Sequence, residues 1–381
     1  MPLASSRNIV KISAAGSGKT YDVCKEALEV AKNGSRVLIT TYTNIGAETV
    51  KKEIRKLNEG VLNPLVVIKT WFTFIMSDMI KPYQQFLTNE INYIKYYDFI
   101  NKNFLVNYKK LGDMDRYITE QKNVRHEQAA SLVMLLNKLS KGKIIRRLEE
   151  VYQTIFLDEI QDMAGDDIEI IRHLIISSVN VVCCGDNKQA TFQTHYTKKN
   201  KNKTGNKIWK FFKDMENQGL VKVERNLASR RFNRQVCSFA NSIYQNEEDP
   251  ITTIMEEETE HDGIFLINSS DLDIYQKTFH PQVLRYDKRT DTLGFPAVNF
   301  GACKGETFER VMIFPNSPFT DFILKGDKFG SPEKYYVAVT RAKYSIAIVL
   351  EKMPRRLDRY EEVVIQCGEK PVRALKYISN V

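Results

Sequence analysis

A glycine-rich turn close to the N-terminus constrains the fold of this chain more than any other feature. An apolar stretch, Ile9–Ile12, leads into the turn Ser13–Thr20 (SAAGSGKT), and a segment with helical apolar spacing follows it. This context is typical of a phosphate-binding loop, in which backbone N–H groups at a helix N-terminus converge on a nucleotide phosphate. A flexible surface loop is the alternative, but the preceding strand and the Lys-Thr pair disfavour it.

The residues of this turn have distinct predicted roles. Gly16 and Gly18 allow the backbone to bend around the phosphates. Lys19 places a cation at the β- and γ-phosphates, and the Thr20 hydroxyl is a candidate Mg²⁺ ligand. The predicted nucleotide-binding residues are Ala15, Gly16, Ser17, Gly18, Lys19 and Thr20.

The length of 381 residues is sufficient for two domains with their own cores. The sequence has neither an apolar run of membrane-span length nor a signal-peptide pattern, so we expect a cytoplasmic protein with no membrane partner. Its six cysteines show no metal-ligand spacing, and we expect reduced residues in the core or near the site. The net charge of +9 favours a polyanionic partner, although a basic enzyme without such a partner has nearly the same charge signature.

The apolar pattern predicts strands that alternate with helices. The predicted strands are Ile9–Ile12, Val37–Thr40, Val66–Ile68, Thr154–Leu157, Val179–Cys184, Ile264–Ile267, Val311–Phe314 and Ser345–Leu350. They are short and nearly continuously apolar, which suits parallel strands that are buried on both faces. With helical stretches between several of them, the sequence predicts a doubly wound α/β architecture.

A segment from about Phe74 to Val151 interrupts this alternation and predicts a helical insertion. Its aromatic side chains could stack on nucleic-acid bases, but residues at this spacing more often form a core, and we favour core. The aromatic residues are Tyr83, Phe86, Tyr93, Tyr96, Tyr97, Phe99 and Phe104, and the apolar stripe comprises Ala129, Leu132, Val133, Leu136 and Leu139.

Polar residues at the ends of other predicted strands complete the candidate site. Asp158 could hold Mg²⁺ through water while Glu159 orients the attacking water, although paired acids after a strand are also common on surfaces. Gln189 could contact the γ-phosphate as a neutral amide, or belong to an ordinary turn. Arg341 could stabilise transition-state charge if a second domain brings it to the γ-phosphate, although an arginine in a helix is most often solvated.

In chain order, these segments resemble the UvrD/Rep-like superfamily 1 DNA helicases over nearly the whole sequence. Besides the phosphate loop, the matching blocks are Thr41–Ala47 (TYTNIGA), Thr70–Phe74 (TWFTF), Asp158–Asp162 (DEIQD), Gly185–Phe192 (GDNKQATF), Ser229–Phe232 (SRRF), Cys303–Phe308 (CKGETF) and Tyr336–Lys343 (YVAVTRAK). So many blocks in the family's order form a highly specific signal.

The resemblance implies two RecA-like domains with parallel β-sheets flanked by helices, and ATP with Mg²⁺ in the cleft between them. It implies that Asp158 and Thr20 hold Mg²⁺ and that Gly305 contacts ATP. The implied catalytic residues are the general base Glu159 and the γ-phosphate contacts Gln189, Arg231 and Arg341. The implied DNA contacts are Tyr42, Thr43, Asn44, Phe72 and Phe192, and a core position is an equally open interpretation for Phe192.

The predicted domain boundaries are residues 1–73 and 151–215 for the first RecA-like domain, 74–150 for the helical insertion and 216–381 for the second RecA-like domain. The stretch between Arg231 and Lys304 is too short for the large insertion that family members carry in their second domain. No glutamine precedes Val10 to read adenine, and Gln193–Tyr196 replaces the family's Trp-Arg-Gly-Ala run.

These features predict an ATP-dependent single-stranded DNA translocase or helicase that moves 3′ to 5′ on single strands or 3′-tailed duplexes. The alternative is a DNA-stimulated ATPase subunit that senses nucleotide and DNA and regulates a partner nuclease, for example in anti-phage defence. The short second domain and the altered run after Phe192 motivate this alternative. A degenerate ATPase with a structural role is disfavoured, because Lys19, Asp158, Glu159 and Arg341 are all present.

Overall fold

A computed structural model describes residues 7–87, 93–99, 110, 112–191, 200, 203, 205–244 and 249–379. By their contacts the residues divide into two compact units. The first unit comprises Met1–Ile12 and Lys19–Arg225, and the second comprises Ser13–Gly18 and Asn226–Val381. The boundary between the two units, as defined by contacts, therefore follows Arg225. The sequence predicted a boundary after residue 215.

The first unit contains strands β1 to β8 and helices α1 to α7 within its described residues. Its strands are β1 (Ile9–Ser13), β2 (Val37–Thr41), β3 (Val66–Thr70), β4 (Tyr97–Asp98), β5 (Val124–Arg125), β6 (Thr154–Leu157), β7 (Asn180–Gly185) and β8 (Lys222–Asn226). Its α-helices are α1 (Lys19–Lys32), α2 (Asn44–Leu57), α3 (Trp71–Phe74), α4 (Ala129–Leu139), α5 (Lys143–Val151), α6 (Asp166–Ile176) and α7 (Ile208–Asn217). A π-helix, Ile75–Ile80, continues α3.

The main sheet of this unit has the strand order β3-β2-β6-β7-β1-β8. The pairs β3–β2, β2–β6, β6–β7 and β7–β1 are all parallel. Because the carboxyl ends of parallel strands meet at one sheet edge, the loops after β1, β6 and β7 start side by side. Strand β1, which leads into the predicted phosphate loop, therefore pairs with β7, and β7 pairs with β6. The predicted polar residues follow β6 and β7.

Both faces of this sheet are covered, as the nearly continuous apolar strands predicted. Ile39 and Phe156 pack with Val23 and Leu28 of α1 in one buried cluster. Their strand neighbours, such as Ile155, belong to a second cluster with α4, α5 and α6. Alternate residues of each strand thus enter different cores, which is the arrangement of a sheet buried on two sides.

The insertion is only partly helical, and its aromatic residues are not all core. Leu132, Val133 and Leu136 of α4 are buried as predicted, whereas Leu139 is 45% exposed. The prediction of a core role was wrong for Tyr93, Tyr96 and Phe99, which are exposed. The physical reason is that these three residues lie around the short strand β4, where helical spacing does not apply. Phe104 lies outside the described residues.

The second unit is built on another sheet. Its strands are β9 (Ala228–Ser229), β10 (Thr252–Thr253), β11 (Gly263–Asn268), β12 (Gln282–Arg285), β13 (Val298–Asn299), β14 (Phe308–Phe314), β15 (Ala342–Leu350), β16 (Tyr360–Cys367) and β17 (Lys370–Tyr377). Its α-helices are α8 (Arg234–Ile243), α9 (Leu272–Phe279), α10 (Ser317–Lys325) and α11 (Glu333–Val339).

The second sheet has the order β13-β12-β14-β15-β11-β17-β16. The five strands from β13 to β11 are parallel to their neighbours, and β17 and β16 add an antiparallel hairpin at one edge. The predicted fold class, α/β with parallel sheets flanked by helices, is confirmed. The hairpin was not predicted, and neither was β12. All six cysteines are buried and free. Among the helices that the structure describes, none has the length and apolar composition needed to cross a bilayer.

The two tryptophans of the chain provide a matched stability test. The buried Trp71 indole donates its Nε1–H to Oδ1 of the buried Asp167 at 2.8 Å. The Nε1 atom of Trp209 is also buried but has no hydrogen-bond partner among the described residues. We expect Trp71→Phe to lower the free energy of unfolding by about 1–3 kcal/mol more than Trp209→Phe does, because only Trp71→Phe removes a donor from a buried carboxylate. Urea denaturation of both variants measures the difference, and equal losses would contradict the assignment.

Candidate functional site

The phosphate loop has the backbone that its glycines predict. Gly16 and Gly18 have φ angles of +73° and +98°, a region that L side chains rarely adopt. The Ser17 N–H donates to the Ala14 carbonyl at 3.2 Å. The Ser17 hydroxyl is buried and has no hydrogen-bond partner within the described residues. A buried polar atom without a partner is costly, so this hydroxyl is a candidate ligand contact.

By their contacts, residues Ser13–Gly18 belong to the second unit. The Ala14 N–H donates to the Asn226 carbonyl, and the Arg230 N–H donates to the Gly16 carbonyl, both at 2.9 Å. A Cβ atom on Gly16 would collide with Cβ of Arg231 and lie 2.8 Å from the Ser229 hydroxyl. Glycine is thus required at position 16 by close packing as well as by its φ angle. The loop backbone therefore lies beside the segment that carries the predicted catalytic Arg231.

The predicted acidic pair lies directly after β6. The Asp158 N–H donates to the Thr40 carbonyl at 3.0 Å, which keeps the chain beside β2. Glu159 has a left-handed backbone with φ of +59°, and its N–H donates to Oδ1 of Asp158 at 2.9 Å. A glutamate with a left-handed backbone conformation is strained, and such strained residues cluster at functional sites.

A glutamine that the sequence analysis did not place in the site connects the two polar loops. The Gln161 Nε2 group donates to the Glu159 carboxylate. Its Oε1 atom accepts the Asp186 N–H at 3.2 Å, in the loop that follows β7. Gln161 is fully buried, and Gly185 leaves it room, since a Cβ atom there would collide with Oε1. The sequence signals only the local contact, because Gln161 lies two residues after the predicted general base, and it does not signal the contact with Asp186.

Asp186 is the centre of the second polar loop. Its Oδ1 accepts the Lys188 N–H at 2.9 Å, and its Oδ2 accepts Nε2 of Gln189 at 2.8 Å. Burial raises the pKa of the Asp186 carboxyl above its usual value, and the Glu159 charge adds to this effect. The Lys19 cation and the two hydrogen bonds counteract it. The structure thus places the predicted Lys19, Glu159 and Gln189 around one buried carboxylate, which we name the acid network together with Gln161.

The second unit holds the two predicted arginines together. Arg341 is 1% exposed, and its Nε donates to the Val337 carbonyl at 2.9 Å. Its Nη1 donates to the Glu306 carbonyl at 3.1 Å, next to the exposed Gly305. Arg231 Nη1 donates to the Thr340 carbonyl at 3.2 Å, so both guanidinium groups lie against the same short segment.

The residues predicted to contact DNA lie at the start of α2 and at α3. The Thr43 hydroxyl caps α2 by accepting the Gly46 N–H at 3.0 Å, which makes this threonine structurally necessary. Asn44 is exposed at the first position of α2. The rings of Tyr42 and Phe72 lie 6.3 Å apart. Phe192 lies outside the described residues.

Phe72 is the centre of a larger group of rings that includes residues of the insertion. Its ring centroid lies 5.5 Å from Tyr97, 6.1 Å from Phe99 and 6.2 Å from His126. Burial lowers the pKa of His126, but hydrogen bonds with Glu127 and the Asp98 carbonyl raise it above its usual value. We name the five rings of Tyr42, Phe72, Tyr97, Phe99 and His126 the aromatic cluster.

Comparison with known proteins finds a family model that matches part of the chain. Residues 76–198 match the model of the UvrD/REP helicase N-terminal domain. The resemblance to UvrD/Rep-like helicases is thereby confirmed. The matched residues include Glu159, Gln161, Asp186 and Gln189, and the match supports a nucleic-acid helicase or translocase in general terms.

A solved structure that the chain resembles is the helicase nonstructural protein 10 of an arterivirus in complex with DNA. The sequence identity is 13% and the TM-score is 0.46. The alignment covers 90% of this chain and 60% of the viral helicase, so the chain spans less than two thirds of that protein's length. No curated protein matches the chain in sequence.

The two residues predicted to hold Mg²⁺ fit that ion chemically. Thr20 and Asp158 offer hydroxyl and carboxylate oxygens, the donors that a small hard cation prefers. The Glu159 N–H bond to Oδ1 of Asp158 fixes the orientation of this carboxylate at the end of β6. Few protein ligands are needed, because Mg²⁺ usually keeps several waters and binds phosphate oxygens as well.

The space beside Gly185 gives a test of the acid network. We expect Gly185→Ala to lower the melting temperature by several degrees, because its Cβ would lie 2.9 Å from the Ile160 side chain and collide with Gln161, and overpacking typically costs about 1–3 kcal/mol. Gly330→Ala is the matched control, since no atom lies within 4 Å of a Cβ there. Thermal denaturation of both variants measures the difference. Equal melting temperatures would show that the loop accommodates the added Cβ atom without loss of stability.

Proposed function

We propose that this chain is an ATP-dependent translocase or helicase that moves 3′ to 5′ on single-stranded DNA. The observation that carries the proposal is the acid network, in which Glu159 and Asp186 are held together at the ends of two adjacent strands. The family match and the phosphate loop support the same conclusion. ATP hydrolysis would supply the free energy for stepping along the strand.

In this proposal Glu159 accepts a proton from the water that attacks the γ-phosphate. A general base must be held in place, and the Gln161 amide provides that restraint by donating to the Glu159 carboxylate. Bound Mg²⁺ would neutralise charge on the phosphate oxygens, with Asp158 and Thr20 as its protein ligands. Lys19 would add a further cation at the β- and γ-phosphates.

The second unit would contribute Arg231 and Arg341 to the same reaction. Arginines that reach the γ-phosphate stabilise the charge that develops on the equatorial oxygens in the transition state. Arg341 is oriented by three hydrogen bonds to the Val337 carbonyl, the Glu306 carbonyl and the Thr340 hydroxyl. Such preorganisation means that little rearrangement of its guanidinium is needed during the reaction.

Single-stranded DNA would bind the first unit at Tyr42, Thr43, Asn44 and Phe72. The partly exposed rings of Tyr42 and Phe72 offer stacking surfaces, which every base can use because every base has a π-face. Asn44 adds an exposed amide at the start of α2. These groups suit a protein that moves along a strand without reading its sequence.

Loss of the general base is the first test. We expect Glu159→Gln to lower the DNA-stimulated rate of ATP hydrolysis by about 10²- to 10⁴-fold, the usual contribution of a positioned base. Glu29→Gln, an exposed glutamate of α1, is the control and should keep the full rate. The measurement is phosphate release with and without single-stranded DNA. A Glu159→Gln variant that hydrolyses ATP normally would refute this assignment.

Direction is tested with partial duplexes that carry one single-stranded tail. We expect ATP-dependent displacement from 3′-tailed duplexes and none from 5′-tailed duplexes of the same length. The readout is the release of a labelled strand. Displacement from the 5′-tailed substrate alone would contradict the proposed direction, whereas ATP hydrolysis without stimulation by DNA would contradict the translocase assignment itself.

A further inference from the structure

The insertion presents one large aromatic side chain of the cluster to solvent. Phe99 is 64% exposed, although its ring centroid lies only 5.2 Å from that of His126 and 5.6 Å from that of Tyr97. A phenylalanine that is in contact with other rings but mostly in water retains unburied apolar surface. The described residues therefore leave most of this side chain uncovered and able to stack on a ligand.

The position of Phe99 is determined by hydrogen bonds to the segment that carries Phe72. The Tyr97 hydroxyl donates to the Phe72 carbonyl at 2.7 Å. Residues Tyr97 and Asp98 form β4, which pairs in parallel with β5. The His126 ring nitrogen Nδ1 bonds to the Asp98 carbonyl at 3.1 Å. Hydrogen bonds thus hold this part of the insertion against the segment of Phe72, a predicted DNA contact. Phe99 directly follows Tyr97 and Asp98, the two residues that make these bonds.

We propose that Phe99 stacks on a base of the single-stranded DNA that Tyr42 and Phe72 contact. This inference rests on the proposed function, because it extends that DNA-binding surface onto the insertion. The occupant is an unpaired strand, since the bases of a duplex present their faces to each other and not to a protein ring. Another protein would not explain why the exposed ring contacts Phe72, which the resemblance assigns to DNA and which itself contacts the ring of Tyr42.

The chemistry of this contact predicts how it differs from a phosphate contact. A phenylalanine ring offers dispersion and π-stacking without charge, so it contributes equally for different bases. It releases no counterion, and its loss should leave the salt dependence of binding unchanged. It requires a base at the contacted position, whereas a contact to the sugar–phosphate chain does not.

The test measures the dissociation constant of the full chain for a labelled oligo-dT and for an abasic strand of the same length. We expect Phe99→Ala to raise the dissociation constant for oligo-dT by about tenfold, which corresponds to a stacking contribution within the usual range. The same variant should bind the abasic strand as the unmodified chain does. The slope of the logarithm of affinity against the logarithm of salt concentration should be unchanged.

Two further variants separate stacking from a structural effect. Phe99→Tyr keeps the ring and should keep most of the affinity. Tyr96→Ala removes a neighbouring aromatic side chain that is 75% exposed, lies in the same segment and belongs to no ring contact among the described residues. It should bind oligo-dT normally. Because Tyr96 is exposed and makes none of these ring contacts, its substitution removes no core packing, and ATP hydrolysis by Tyr96→Ala without DNA should stay at its basal rate.

Each outcome decides between the inference and the proposed function. Unchanged oligo-dT affinity of Phe99→Ala, an equal loss on the abasic strand, or an equal loss in Tyr96→Ala would overturn the inference alone. Failure of the unmodified chain to bind any single strand would overturn the proposed function and the inference with it. A loss confined to oligo-dT and to Phe99→Ala supports both.

Discussion

The fixed position of two neighbouring acidic side chains is the constraint on which the candidate site of this structure depends. Glu159 and Asp186 follow adjacent parallel strands, and each raises the cost of charging the other. Gln161 resolves this conflict because an amide is neutral and can donate to one loop while it accepts from the other. A charged residue at position 161 would add repulsion or neutralise the carboxylate that we propose as the general base. The acid network therefore requires an amide, and it requires a glycine at position 185 to leave space for it.

The parts of the fold that were predicted are those in which a single physical cause dominates the pattern. Strands such as β6 and β7 are buried on both faces, so their sequences are almost continuously apolar and can be recognised directly. The hairpin β16–β17 escaped prediction because β16 is largely exposed and carries Glu361, Glu362 and Gln366 between its apolar residues. Its strand pairing depends on β17 and β11, and no local pattern shows that a neighbouring strand exists.

The candidate site shows the same limit. Lys19, Asp158 and Glu159 were predicted because each belongs to a short motif with a known chemical reason. The bridging role of Gln161 could not be derived in this way, since its second partner is the backbone of Asp186, which only the order of β6 and β7 brings near. The exposure of Phe99 was also unpredictable, because aromatic composition is equally compatible with a core and with a binding surface. Only the contacts of a ring with its neighbours separate the two.

One buried hydrogen bond joins the segments of the first unit that carry the proposed nucleotide and DNA contacts. Helix α6 begins four residues after Asp162, and its Asp167 accepts the Trp71 indole N–H in a fully buried environment. Trp71 is followed directly by Phe72, the centre of the aromatic cluster. A hydrogen bond to a buried carboxylate is strong because the surrounding dielectric is low and no water competes for it. The Trp71–Asp167 bond therefore joins the helix that follows the Glu159 loop to the segment that carries Phe72. The residues that we propose for ATP hydrolysis and for DNA contact thus flank one continuous buried core of the first unit.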